Sequence, residues 1–132
     1  MVIPIGALKA KDYKTVFTDI SFVVQAASPV PVKVILETVF LTDEEKIAAS
    51  FIAAEAGAAF VKTCTGFLGG GATVEDVKLM WRTVRYKGVK VKASGGVRTF
   101  EKCLAIFKAG AERIGTSSGA AIMVDTPAAE GY

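Results

Sequence analysis

Five short apolar segments punctuate the chain, and each is followed by a stretch whose apolar residues recur at helical spacing. They fall at residues 1–5, 32–37, 60–66, 89–94 and 113–116. Strands separated by helices and short loops cannot form hairpins; they build a parallel sheet with right-handed crossovers. The expected fold is therefore α/β, with five parallel strands alternating with helices. At 132 residues one domain is expected, over 1–124, with 125–132 as a flexible C-terminal tail.

The helices carry their own signals. Residues 11–27 place Tyr13, Val16, Phe17, Ile20, Val23, Val24 and Ala27 on one face, and Ser28-Pro29-Val30-Pro31 ends the run. Thr42 and Glu45 have the spacing of a capping box, and Gly57 closes the helix they open. Thr73 caps a third helix with Val74, Val77, Trp81 and Val84 as its stripe. Thr99 caps a fourth with Phe100, Cys103, Leu104 and Phe107, ended by Gly110. Residues 6–9 read as a loop, and a last helix is expected over 120–124. Ala56-Gly57-Ala58 recurs as Ala109-Gly110-Ala111, with Thr63 and Gly66 matched by Thr116 and Gly119. This fits a repeated βα architecture, although helices stop at glycine often enough for chance to produce it.

Composition narrows the function. Apolar residues make up 52% of the chain, and the mean hydropathy of +0.43 is high. That excess calls for strands covered on both faces, or for a surface kept for a partner. No apolar run reaches membrane-spanning length, and Met1-Val2-Ile3-Pro4 lacks the basic start of a signal peptide. A scattered net charge of +3 gives no reason to expect nucleic acid. Cys64 and Cys103 lack metal spacing and read as free thiols in a reducing, cytoplasmic setting. The absence of histidine removes histidine triads and most catalytic zinc sites.

Within Phe60-Val61-Lys62-Thr63-Cys64-Thr65-Gly66 a lysine interrupts a strand pattern, and Lys92 does the same in the strand that follows. Burying an ammonium costs several kcal/mol unless it is paired or deprotonated. The useful outcome is a free amine that attacks a carbonyl. Lys62 is thus the expected Schiff-base nucleophile, and a protonated Lys92 beside it the electrostatic tuner. The competing reading is a pair of strand-end lysines bridged to Glu37. Lys33, at the N-terminal end of its strand, is assigned to stability. Gly95 and Gly96 precede one helix start, and Ser117 and Ser118 precede another. Turns of this kind on the last two strands suit a phosphate, or they serve only as tight turns.

These motifs resemble one family. Val91-Lys92-Ala93-Ser94-Gly95-Gly96-Val97-Arg98-Thr99, Arg113-Ile114-Gly115-Thr116-Ser117-Ser118-Gly119 and the Lys62 segment look like the signature strands of deoxyribose-phosphate aldolase. Ile5-Gly6-Ala7-Leu8-Lys9 and Val32-Lys33-Val34-Ile35-Leu36-Glu37-Thr38 resemble its preceding strands. The resemblance implies a class I aldolase of the TIM-barrel type, with no metal and no cofactor. Such an enzyme reversibly cleaves 2-deoxy-D-ribose 5-phosphate to acetaldehyde and D-glyceraldehyde 3-phosphate. By motif position Lys62 is its Schiff-base lysine, Lys92 its second lysine, and Gly95, Gly96, Ser117 and Ser118 its phosphate turns. Its ligands are a phosphorylated sugar or a small aldehyde.

The departures are also expectations. The chain corresponds to strands four to eight of eight, so it reads as a C-terminal half-barrel, excised or engineered. The family's proton-relay aspartate would precede Met1. Cys64 stands where a serine is usual, and Phe40, Phe67 and Leu68 make the loops more apolar. Half a barrel must cover its inner face, by pairing with another copy or by opening into a flavodoxin-like sheet. A homo-oligomer is the favoured solution. Its function is then either retained aldolase chemistry or that of a non-catalytic, self-associating half-barrel module.

Overall fold

The structure, a computed structural model, describes residues 1–124; the expected tail at 125–132 lies outside the described residues. Four strands form one parallel sheet in sequential order: β1 (Lys33–Ile35), β2 (Phe60–Lys62), β3 (Lys90–Ser94) and β4 (Arg113–Gly115). Sequential order with right-handed crossovers leaves the connecting helices on one side. A flavodoxin-like sheet needs a reversal of strand order to place helices on both sides. The described strands contain no reversal, so that alternative is corrected.

The expected fifth strand is also corrected. Residues 1–5 supply only an isolated parallel bridge between Val2 and Ile35. Ile35 N–H donates to Met1 O at 2.8 Å, and Ile3 N–H donates to Ile35 O at 3.1 Å. The next donor on that side would be Ile5, which already belongs to a helix. Pro4 precedes this short helix, α1 (Ile5–Lys9), where a loop was expected. Lys11 then turns the chain at φ +60°, and Asp12 accepts Thr15 N–H at 3.1 Å to cap α2 (Tyr13–Ala27). β1 is shorter than expected because Glu37 adopts φ +58° and leads into a 3-10 turn at Thr38–Phe40.

Val34, Val61 and Val91 lie in one register row and are fully buried. Val16, Ile20, Val77, Met80 and Ile106 from the helices complete the core. The capping box of Thr42 and Glu45 opens α3 (Asp43–Glu55). Its buried residues are small, Ala49, Ser50, Ala53 and Ala54, so little side-chain bulk holds it off its neighbours. Thr73 caps α4 (Val74–Val84), which buries Val77, Met80 and Val84. Val74 and Trp81 of the expected stripe stay partly exposed. Trp81 packs over Gly110, where a Cβ would overlap its ring, so that glycine both ends a helix at φ +117° and makes room. Thr99 caps α5 (Phe100–Lys108), but this helix buries Ile106. Phe100, Leu104 and Phe107 face outwards, correcting the expected stripe. A last helix, α6 (Gly119–Met123), packs Ile122 inwards. No helix among the described residues is long and apolar enough to cross a membrane.

Candidate active site

Strand side chains alternate between faces. With Val34, Val61 and Val91 turned to the helices, the opposite parity falls on the open face. One register row crosses the whole sheet there: Ile35, Lys62, Lys92 and Arg113. Lys62 and Lys92 are therefore side by side on adjacent strands, as their spacing predicts. They are half-buried and not sunk in the core, because the face they share carries no helix layer. This corrects the expectation of full burial.

The row before it aligns Lys33 with Phe60. Lys33 Nζ stands 5.1 Å from the Phe60 ring centre, and the Arg113 guanidinium carbon stands 4.9 Å from the same centre. Burial pushes the Lys33 amine below the usual lysine range. The charges of Lys92, Arg113 and Lys62 push the same way, as does the approach of the Lys92 amine. Lys33 belongs to this cluster, against the purely structural role its strand-end position had implied.

Among the described residues, no carboxylate forms an ion pair with Lys33, Lys62, Lys92 or Arg113. Glu37, the expected partner, is turned aside. It is fully buried, and its Oε1 accepts Thr65 N–H at 3.0 Å. Its Oε2 is buried without a partner. The carboxylate thus holds the turn that follows Lys62. That turn is also tied to β3: Thr63 Oγ1 donates to Ser94 O at 2.9 Å and accepts Ser94 N–H at 3.0 Å, while Cys64 Sγ donates to Ser94 O at 2.8 Å.

The glycine and serine turns meet at the carboxyl ends of β3 and β4. Gly95 and Gly96 adopt φ +94° and +65°. Thr116 Oγ1 donates to Val97 O at 2.5 Å and accepts Ser118 N–H at 2.9 Å, locking the two turns together. The Ser118 amide is thereby occupied, which leaves the hydroxyls of Ser117 and Ser118 for a ligand. Lys102 Nζ lies 3.5 Å from where a Cβ on Gly96 would stand. It adds a cation that the turn motif did not announce. Lys33, Phe60, Lys102 and Arg113 were all missed as site residues. For Lys33 and Arg113 the signal was available, since both share strand parity with the lysines of the row.

Known proteins resemble this chain over most of its length. Residues 1–124 match the family model described as DeoC/LacD family aldolase. The chain is 58% identical over 132 residues to the deoxyribose-phosphate aldolase of Streptococcus sanguinis, covering all of this chain and 60% of that protein. It is 57% identical over 129 residues to the deoxyribose-phosphate aldolase of Thermococcus kodakarensis, covering 96% of this chain and 57% of that one. The chain thus spans about 60% of the length of the curated relatives it matches. Among solved structures, a candidate deoxyribose-phosphate aldolase from Coccidioides immitis superposes with a TM-score of 0.90 at 46% identity, over 94% of this chain and 50% of that one. The four-stranded sheet and its helices thus align with part of a larger fold.

Proposed function

Because the chain belongs to the DeoC/LacD family of aldolases, we propose that its open face performs lysine imine chemistry on aldehydes, with 2-deoxy-D-ribose 5-phosphate as the substrate of the full reaction. The observation that carries this reading is the row of Lys62 and Lys92 on adjacent strands, with no carboxylate to neutralise either among the described residues.

In this reading the Lys62 amine adds to the aldehyde carbon of the open-chain sugar, and water leaves to give the imine. The bond between the second and third carbon breaks, its electron pair passing into the nitrogen as an enamine. The proton of the third-carbon hydroxyl goes to a base, and glyceraldehyde 3-phosphate departs. Protonation of the enamine carbon and addition of water release acetaldehyde and restore the amine. Lys92 supplies positive charge beside the imine. The backbone of Gly95 and Gly96 and the hydroxyls of Ser117 and Ser118 hold the phosphate, and the Lys102 amine near Gly96 favours the same placement.

A second reading, a self-associating module without catalysis, is supported by the open face: a sheet with helices on one side only leaves a face for another copy to cover. Borohydride reduction in the presence of acetaldehyde, followed by peptide mass mapping, separates the two. A two-carbon adduct on Lys62 that is lost in Lys62→Ala supports the aldolase reading. Slow, even labelling of exposed lysines sinks it.

A further inference from the structure

We propose that the outer side of α5 is a contact between two copies of this chain, packed antiparallel about a two-fold axis near Leu104. Phe100 of each copy then meets Phe107 of the other, and Glu101 of each meets Lys108 of the other. The contact lies in the helix layer, away from the lysine row, and does not rest on the imine reading.

Helix α5 has two apolar sides where its sheet needs one. Ile106 is fully buried against the sheet, with Cys103 partly buried beside it. Phe100, Leu104 and Phe107, spaced by four and three residues, form a stripe on another side. They remain 48, 41 and 45% exposed, so the core does not claim them. The apolar surface continues onto α4, where Trp81 lies over Gly110 at the end of α5 and is itself 36% exposed. A contiguous exposed stripe of this kind marks a contact surface.

The charges on α5 say what the partner is. Glu101 lies in the first turn and Lys108 in the last. Seven residues, about two helical turns, separate them, so they flank the stripe on the same side. Among the described residues neither forms an ion pair. Arg85, 4.9 Å from the centre of the Trp81 ring, puts a further cation at the Lys108 end. Lys102, in the first turn, is turned to Gly96. A second copy laid antiparallel brings the acidic flank of each helix onto the basic flank of the other. A two-fold contact repeats that pairing. The same orientation sets opposed helix dipoles side by side. A parallel pair would instead set Glu101 against Glu101 and Lys108 against Lys108. Nine residues of helix span about 13–14 Å, which makes a small interface and a weak, concentration-dependent dimer.

The test is sedimentation equilibrium of the whole chain from about 1 to 300 μM, the range in which a small interface associates. The parent is expected to form a reversible dimer. Leu104→Gln, at the axis, should weaken it at least about tenfold. Glu101→Lys and Lys108→Glu should each weaken it about tenfold. An equal mixture of these two variants should recover the parent's affinity, because unlike charges then meet on both flanks. General charge repulsion makes a different prediction: Lys108→Glu lowers the net charge of +3, which alone would strengthen association. All three substitutions introduce good helix formers at exposed positions, and circular dichroism checks that α5 is retained. A parent that stays monomeric throughout overturns the proposal. So does association that the folded variants leave unchanged, which would place the contact on another face, or a mixture no stronger than its components.

Discussion

Gly115 offers a direct test of how tightly the lysine row is packed. It lies in β4 opposite Ser94, and its backbone is in a region any residue can adopt. A Cβ at this position would overlap Ser94 Oγ, lie 3.3 Å from Ser94 Cβ and stand only 3.0 Å from Lys92 Cε. The Ser94 backbone cannot retreat, because its N–H and carbonyl are both bound to the Thr63-Cys64 turn. Relief must come from rotation of the serine, outward movement of β4 or displacement of Lys92. Overpacking of this kind costs about 1–3 kcal/mol. Replacing glycine by alanine returns about 0.4–1 kcal/mol through the unfolded chain. Gly115→Ala is therefore expected to destabilise by roughly 0.5–2 kcal/mol. With a urea slope of about 1–3 kcal/mol/M, the unfolding midpoint falls by about 0.2–2 M. The single tryptophan, Trp81, reports the transition. Trapping of acetaldehyde at Lys62 should fall in the same variant, as Lys92 is pushed out of the row. Adding Ser94→Ala removes the overlapping oxygen and should recover most of the lost stability. An unchanged or higher midpoint in Gly115→Ala, or no recovery in the double variant, would refute the packing argument.

Other perturbations give separate readings. Glu37→Ala leaves the Thr65 amide unpaired and a cavity behind, so a loss of about 2–4 kcal/mol is expected, against less for Glu37→Gln, which keeps an acceptor; equal losses by urea unfolding would show that the hydrogen bond is not what matters. The Tyr86 phenol donates to Glu55 at 2.6 Å and is pushed up to about 12 by that bond. Its raised value gives stability present below the free phenol's range of about 10 and lost as pH climbs through about 12; ultraviolet titration should show the return towards 10 in Glu55→Gln, and an unmoved titration would exclude the bond in solution. Burial lowers the Lys46 pKa, but hydrogen bonds to Asp76 at 2.6 Å and Asp43 at 3.1 Å outweigh it and raise the net value. Asp76→Asn strips the buried partner's charge, so a loss of about 1–3 kcal/mol is expected near neutral pH, shrinking as pH rises past the range where Lys46 gives up its proton; a loss independent of pH would assign the effect to packing. Finally, sedimentation at about 0.01 M and 0.15 M salt compares screening lengths of about 30 and 8 Å. Association through the cationic open face should strengthen with salt, and association that weakens with salt would rule that face out as the contact.

Much of the fold was legible because its signals are local. The capping residues Thr42, Thr73 and Thr99 each accept the N–H three residues on, as their spacing required. Strand parity placed Lys62 and Lys92 together because a period of two depends on nothing beyond the strand itself. Helical stripes were less secure. In α5 the phenylalanines carried the hydrophobic pattern, yet Ile106 faces the sheet. An apolar residue can sit on either side of a helix when the chain has more of them than its core can hold. The first strand failed for a different reason. Its composition suited a sheet, but the chain enters a helix at Ile5 and the partner strand turns off at Glu37, so the ladder has no partners beyond Ile3 and Ile35.

Depth and pairing were not legible, because both depend on which strands meet and which face is covered. Glu37 looked like a counter-ion from its parity alone. Its left-handed backbone turns it to the Thr65 amide instead, and nothing in strand alternation anticipates that. With Glu37 withdrawn, the open face collects Lys33, Lys62, Lys92 and Arg113 with no acid paired to them among the described residues. This bears on how such a face is covered. The apolar excess of the chain favours self-association, yet two copies pressed together by these faces would set the same cations against each other. Exposed apolar groups lie on the outer sides of the helices at Phe22, Phe51, Phe100 and Phe107, and on the loops after β1 and β2 at Phe40, Phe67 and Leu68. Apolar contact at those sites does not neutralise the lysine row. What covers the lysines must bring negative charge or water to offset these like charges.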